Sequence, residues 1–130
     1  MEITKIAMNG QVYPIRIDLN VLSDIQNNYG TIYQFERDIN GIIFQKDNAG
    51  NIILNEDGTP KYIKAAPNIA AIIFVLPRMI NEGLKAEAYE NNTSYKPVDP
   101  EKIIYNCDIA PEVLADIIKT EYSRCFAVKK

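Results

Sequence analysis

The run Ile69 to Leu76, IAAIIFVL, followed at once by Pro77 and Arg78, constrains the fold more than any other stretch of the chain. It is far shorter than the roughly 20 apolar residues that cross a bilayer. Ile69, Ile72, Ile73, Leu76, Ile80 and Leu84 recur at helical spacing, so the run reads as the first half of a long helix. That helix begins at Ala66, with Pro67 in its first turn, and continues to Asn91. Ala70, Ala71, Phe74 and Val75 make its first half apolar on nearly every side, and such a helix is either enclosed by its own domain or covered by a partner. Pro77 withdraws one backbone donor, which predicts a kink there.

The other elements follow from local signals. Ile3 to Met8 and Val12 to Ile17 flank Asn9-Gly10, a dipeptide that tolerates the positive φ angles of a type I′ turn, so a β-hairpin opens the chain. Pro14 lacks an N–H and makes the second strand an edge at that point, or faces away from its partner. Asp18 caps a helix carrying Leu19, Leu22, Ile25 and Tyr29 that stops at Gly30. Thr31 caps a second, with Ile32, Phe35 and Ile39, that stops at Gly41. Short β-branched runs at Ile42 to Gln45 and Ile52 to Leu54, with Gly58 and Pro60 beyond them, give a small β excursion. Asp99-Pro100-Glu101 opens a short helix with Ile103, Ile104 and Cys107. Pro111 opens the last helix, whose stripe is Val113, Leu114, Ile117, Ile118, Tyr122, Cys125 and Phe126, with Glu112, Asp116, Lys119 and Glu121 off it. No internal repeat and no interdomain linker is evident. The expectation is a single α+β domain over residues 1–130, predominantly helical: an N-terminal β-hairpin followed by a helical bundle, with a small β excursion at about 42–62.

A chain of 130 residues buries a core without metal or disulfide support. The sequence contains no His, which removes the commonest general base, the commonest metal ligand and every His-dependent triad. No catalytic residue, metal or cofactor is expected, and no small-molecule substrate. A net charge of −3 with dispersed Lys and Arg gives no footprint for nucleic acid. The six glycines are scattered singly, each at a turn or helix end, so no phosphate loop exists. Asp47, Asn51, Asn55 and Asp57 lack the glycine and terminal Glu of a calcium loop and read as turn residues. Cys125 beside Arg124 reads as a buried inert thiol, and Glu82, Glu87 and Glu90 as solvation of a helix face. Free Cys107 and Cys125, with no secretory signal, suggest an intracellular protein, and no membrane span is expected. Tyr29, Tyr33, Tyr89 and Tyr95, near helix ends and loops, suit protein recognition or ordinary packing.

The strand, Asn-Gly turn and second strand ending in Arg16-Ile17-Asp18-Leu19, followed by IQNNYG at Ile25 to Gly30, resemble the start of the tail assembly chaperones of long-tailed bacteriophages and prophages. FERDINGI at Phe35 to Ile42, LPRMINEGL at Leu76 to Leu84, APEVLADII at Ala110 to Ile118 and YSRCFAVKK from Tyr122 extend the resemblance over nearly the whole chain. The excursion from Lys46 to Lys64 is longer than in many such chaperones. The resemblance implies a mostly helical protein of the host cytoplasm that binds the hydrophobic tape-measure protein, keeps it soluble, recruits tail-tube subunits and is lost from the finished virion. A homo-oligomer is compatible with it. Family members are also made as a longer product by ribosomal frameshifting, and Lys129-Lys130 would suit a slippery run of adenines.

A holdase needs apolar surface and no active site. Ile72, Phe74, Val75 and Met79 are expected to face the partner, with Ile69, Ile73, Leu76 and Ile80 facing the core. Two other classes stay open: a structural head-tail connector or tail-completion protein, and a generic intracellular adaptor.

Overall fold

The computed structural model describes residues 2–126, so Lys129-Lys130 lies outside the described residues. β1 (Thr4–Met8) and β2 (Gln11–Ile15) pair antiparallel, with Ile6 opposite Tyr13 and Met8 opposite Gln11. Asn9 and Gly10 form the two-residue loop at φ 47° and 76°, as a type I′ turn requires. The sheet has only these two strands, so Pro14 sits on an edge strand as expected. Asp18 caps α1 (Leu19–Tyr29) by accepting from the Asn20 and Val21 amides, and Thr31 caps α2 (Ile32–Asn40) by accepting from the Gln34 amide. Gly30 at φ 80° and Gly41 at φ 69° end these helices.

α3 (Ile69–Glu90) is the central element and packs against β2 and against α1, α2, α4 (Pro100–Tyr105) and α5 (Pro111–Cys125). It starts at Ile69 rather than Ala66, because the Asn68 side chain accepts the Ala71 amide and Pro67 precedes that cap. The helix continues through Pro77, and the Arg78 guanidinium donates to the Phe74 carbonyl at 2.7 Å. From within α3, Asn81 holds the loop that returns after the helix as another strand would: its amide donates to the Val98 carbonyl at 3.0 Å and its oxygen accepts the Val98 N–H at 2.8 Å. The core joins Ile6, Met8, Ile15 and Ile17 of the hairpin region to Val21, Ile25, Phe35, Ile39, Ile103, Leu114 and Ile118 around the buried face of α3.

The β excursion is present as expected, and it contains a short structural repeat that the sequence reading missed. β3 (Ile42–Phe44) pairs with β4 (Tyr62–Lys64), and single bridges join Lys46 to Ile52 and Leu54 to Pro60. The Gln45 N–H donates to the Lys61 carbonyl at 2.9 Å, the Lys61 N–H to Ile53 at 2.8 Å, and the Ile53 N–H to Gln45 at 2.9 Å. These three bonds close a ring among residues spaced eight apart. The two intervening turns match: Gly50 donates to Asp47 and Gly58 to Asn55, both at 3.0 Å, and both glycines sit at φ 86°. The unit is rooted at Gly41, whose carbonyl accepts the Ala65 N–H at 2.7 Å. A Cβ on Gly41 would lie 2.1 Å from the Ala65 oxygen.

Gly83 is likewise misread by the sequence argument, because it lies inside α3 rather than at a turn or helix end. A Cβ there would come within 2.5 Å of the Pro14 carbonyl carbon and oxygen and 2.7 Å of the Ile15 nitrogen. These are backbone atoms that cannot rotate away. One turn earlier, the Arg16 N–H donates to the Met79 carbonyl at 3.0 Å, so strand backbone lies directly on helix backbone. Gly83→Ala gains about 1 kcal/mol of helix propensity but forces this contact apart, at a cost of roughly 1–3 kcal/mol or more for overpacking. A net loss of stability in urea unfolding is expected; a stabilised variant would show that the hairpin moves freely on α3.

Candidate partner-binding surface

The facing of α3 differs from the sequence expectation. Ile72 is 4% exposed, and Val75 and Met79 are 0% exposed, so three of the four residues expected to meet a partner belong to the core. The reason is the hairpin: β2 lies over the face that carries Met79 and Gly83, and Val75 and Ile72 continue that face one and two turns earlier. Phe74 is half-buried. Its ring meets Tyr29 edge-on at 5.7 Å, Tyr29 meets Phe35 in turn, and the Arg78 guanidinium covers the ring at 3.8 Å. Leu76 and Ile80 face the core as expected, whereas Ile69 and Ile73 are 49% and 47% exposed.

Exposed apolar residues gather where α3 begins and along the β excursion. Of sixteen exposed large hydrophobics among the described residues, eight lie between positions 43 and 73: Ile43, Ile52, Ile53, Leu54, Tyr62, Ile63, Ile69 and Ile73. Ile43 and Ile63 are direct cross-strand partners and therefore share one face of the ribbon. The opposite face carries Phe44, whose ring lies under the Arg37 guanidinium of α2 at 4.9 Å, so Ile43 and Ile63 point outward. No residue of the ribbon contributes to the hydrophobic core. Of the tyrosines picked from the sequence, Tyr33 and Tyr89 are well exposed and Tyr95 is at the border, while Tyr29 packs on the core.

The other candidates have structural explanations. The Asp47 carboxylate accepts the Ala49 and Asn51 amides, and the Asp57 carboxylate accepts both the amide and hydroxyl of Thr59, so these groups stabilise their own turns. Among the described residues no group of three or more His, Cys, Asp or Glu is placed to hold a metal ion. Burial and the neighbouring Glu121 carboxylate push the Cys125 thiol up, away from thiolate character. A shallow groove of about 290 Å³ between α2 and α5 is floored by Phe35, Ile39 and Ile118, and the Tyr122 hydroxyl donates to Glu36 at its rim.

Two carboxylates escape the helical-wheel argument. Glu121, expected off the apolar stripe, is 1% exposed on α5. Burial alone would raise its carboxyl, but hydrogen bonds from Arg124 at 2.6 and 3.0 Å, from Thr4 and from Cys125 outweigh that and hold it below the usual range. Arg124 also donates to the Glu2 carbonyl, so this cluster ties α5 to the start of the hairpin. Glu82 is shifted the other way, raised by burial and by its hydrogen bond with Asp18, with Lys85 offsetting part of the rise. The nearest signal in the sequence was the spacing itself, since Glu121 follows Leu114 and Ile118 at seven and three residues.

Opposite pH signatures follow. The depressed Glu121 contributes stability above the unfolded carboxylate pKa of about 4.3 that is lost as pH falls through its folded value. The raised Glu82 favours the folded state at acid pH, and that contribution is lost as pH rises through its folded value. Glu121→Gln should lose about 1–3 kcal/mol at neutral pH, with the deficit narrowing on acidification. Glu82→Gln should be at least as stable as the parent at neutral pH. Urea midpoints taken across the acid range check both, and a deficit for Glu121→Gln that is constant with pH would show that its charge is not what holds the hairpin.

No protein-family model matches the chain, and searches of curated proteins and of solved structures found no significant match to it.

Proposed function

We propose that the chain is a non-enzymatic tail assembly chaperone that binds the hydrophobic tape-measure protein in the host cytoplasm, keeps it soluble and brings it to tail-tube subunits. The observation that carries this reading is the concentration of exposed aliphatic side chains on the ribbon and on Ile69 and Ile73, outside a core that is complete without them. A monomer gains nothing from leaving such a patch in water, whereas a holdase needs it. The ordered resemblance from the opening hairpin to the last helix supports the same reading. The client surface is accordingly moved from Ile72, Val75 and Met79 to the ribbon and the Ile69–Ile73 edge of α3.

Co-expression with the neighbouring tape-measure protein tests it. The chain should copurify with that protein and keep it soluble, and should be missing from purified virions. A stable ring retained in virions would assign it instead to a connector. Ile69→Ser with Ile73→Ser should reduce the soluble tape-measure yield several-fold while the thermal midpoint stays within a few degrees of the parent. Val75→Ser, by contrast, places a hydroxyl in the core and should destabilise the fold by about 2–4 kcal/mol.

A further inference from the structure

The ribbon leaves one strand edge open. The Ala65 N–H donates to the Gly41 carbonyl and the Gln45 N–H to the Lys61 carbonyl, so hydrogen-bonded pairs lie at both ends of the β3–β4 ladder. Pairs alternate along an antiparallel ladder, which makes Ile43 with Ile63 the bonded pair between them. Ile42 with Lys64 and Phe44 with Tyr62 are then the non-bonded pairs, and their N–H and C=O groups point away from the ribbon. On β3 these residues are half-buried, with Phe44 under Arg37. On β4 the edge is open: Tyr62, Ile63 and Lys64 are all exposed, and among the described residues β4 has no strand neighbour but β3.

Such an edge takes one class of partner, another extended strand. A second copy of β4 fits it in register. With a two-fold axis at Ile63, Tyr62 of each copy lies opposite Lys64 of the other, so each outward N–H meets an outward C=O. Ile63 then meets Ile63 in the closer, non-bonded kind of pair. Lys64 faces an aromatic ring rather than another lysine. The ribbon is also neutral, since Lys46, Lys61 and Lys64 are matched by Asp47, Glu56 and Asp57, and two ribbons approach without net repulsion.

We propose that two copies join β4 to β4 in this way, forming one four-stranded antiparallel sheet. Ile43 and Ile63 of both copies make a continuous aliphatic row across its outward face, which edge pairing leaves uncovered. Resting on the client-binding reading above, this shared row is the client's seat, and a lone copy offers only half of it.

Sedimentation equilibrium of the full chain tests the pairing. A reversible dimer is expected, with a dissociation constant on the order of 1–100 μM for so small an interface. Ile63→Lys and Ile63→Glu should each be monomeric, because like charges meet at the axis, and an equimolar mixture of the two should dimerise again. Tyr62→Pro should also be monomeric, with its thermal midpoint within a few degrees of the parent, since the N–H it removes takes no part in the β3–β4 ladder. In co-expression Tyr62→Pro should lower the soluble tape-measure yield about twofold or more, as a halved apolar surface implies. A parent chain that stays monomeric to about 0.5 mM, a dimer untouched by the Ile63 variants, or a mixture that does not pair again overturns the proposal. So does a monomeric Tyr62→Pro chain that solubilises the client as well as the parent does. A monomeric parent whose client yield falls with Tyr62→Pro overturns it too, and assigns the edge to a strand of the client. The holdase reading fails separately, only if the parent chain itself does not keep the tape-measure protein soluble.

Discussion

The approach of strand backbone to helix backbone at Gly83 is the constraint on which the rest of the structure depends. A two-stranded hairpin alone is marginal in water. This one persists because Pro14 and Ile15 lie on the one position of α3 with no side chain, and the Arg16 N–H finds the Met79 carbonyl. That contact orients the hairpin so that Ile6, Met8 and Ile15 enter the core. It also delivers the chain to Asp18, which caps α1 and lies beside Glu82 on the covered helix, where it helps to raise that carboxyl. At its open end the hairpin is held a second time, by Thr4 and the Glu2 carbonyl on the Glu121–Arg124 pair of α5.

The same contact decides which side of an almost uniformly apolar helix is inside. Met79 and Ile80 precede Gly83 by four and three residues, Leu76 by seven and Ile72 by eleven, so all lie on the glycine's side of the helix. Ile73 falls on the flank that β2 does not cover. Ile69, in the first turn, stays half-exposed next to Asn68, whose N–H reaches back to the Asp38 carbonyl. Hydrophobicity alone offers two stripes of equal merit; the close approach breaks the tie.

What was legible in the sequence is what local chemistry fixes. Asn9-Gly10, Asp18, Thr31, Gly41 and Asp99 set turn and cap geometry within three or four residues, and each acts where expected. The α+β class follows from those stops. What was not legible depends on residues far apart in the chain. Gly83 is mid-helix because of Pro14, and Glu121 is buried because of Thr4 and Arg124. Three of the four expected partner residues, Ile72, Val75 and Met79, are core because β2 covers them. The eight-residue repeat was available in Asp47 and Asn55, and in Gly50 and Gly58, but its two copies share turn chemistry rather than side chains. Similarity of that kind shows only when the hydrogen bonds are compared.

The ribbon is where fold and proposed role separate. Its ring of three backbone bonds satisfies Gln45, Ile53 and Lys61 internally, so its shape does not depend on burying its side chains against the domain. It is fastened at its root, where Gly41 and Ala65 come too close for a Cβ, and by Phe44 under the Arg37 guanidinium of α2. Ile43, Ile53, Leu54 and Ile63 are thus held in order without a core to hold them, which removes part of the entropy a flexible loop would lose on meeting a partner. An unstructured apolar loop of this length would collapse onto the domain or aggregate. A self-bonded ribbon can keep its aliphatic residues in water, with the charged side chains of both signs around them opposing aggregation.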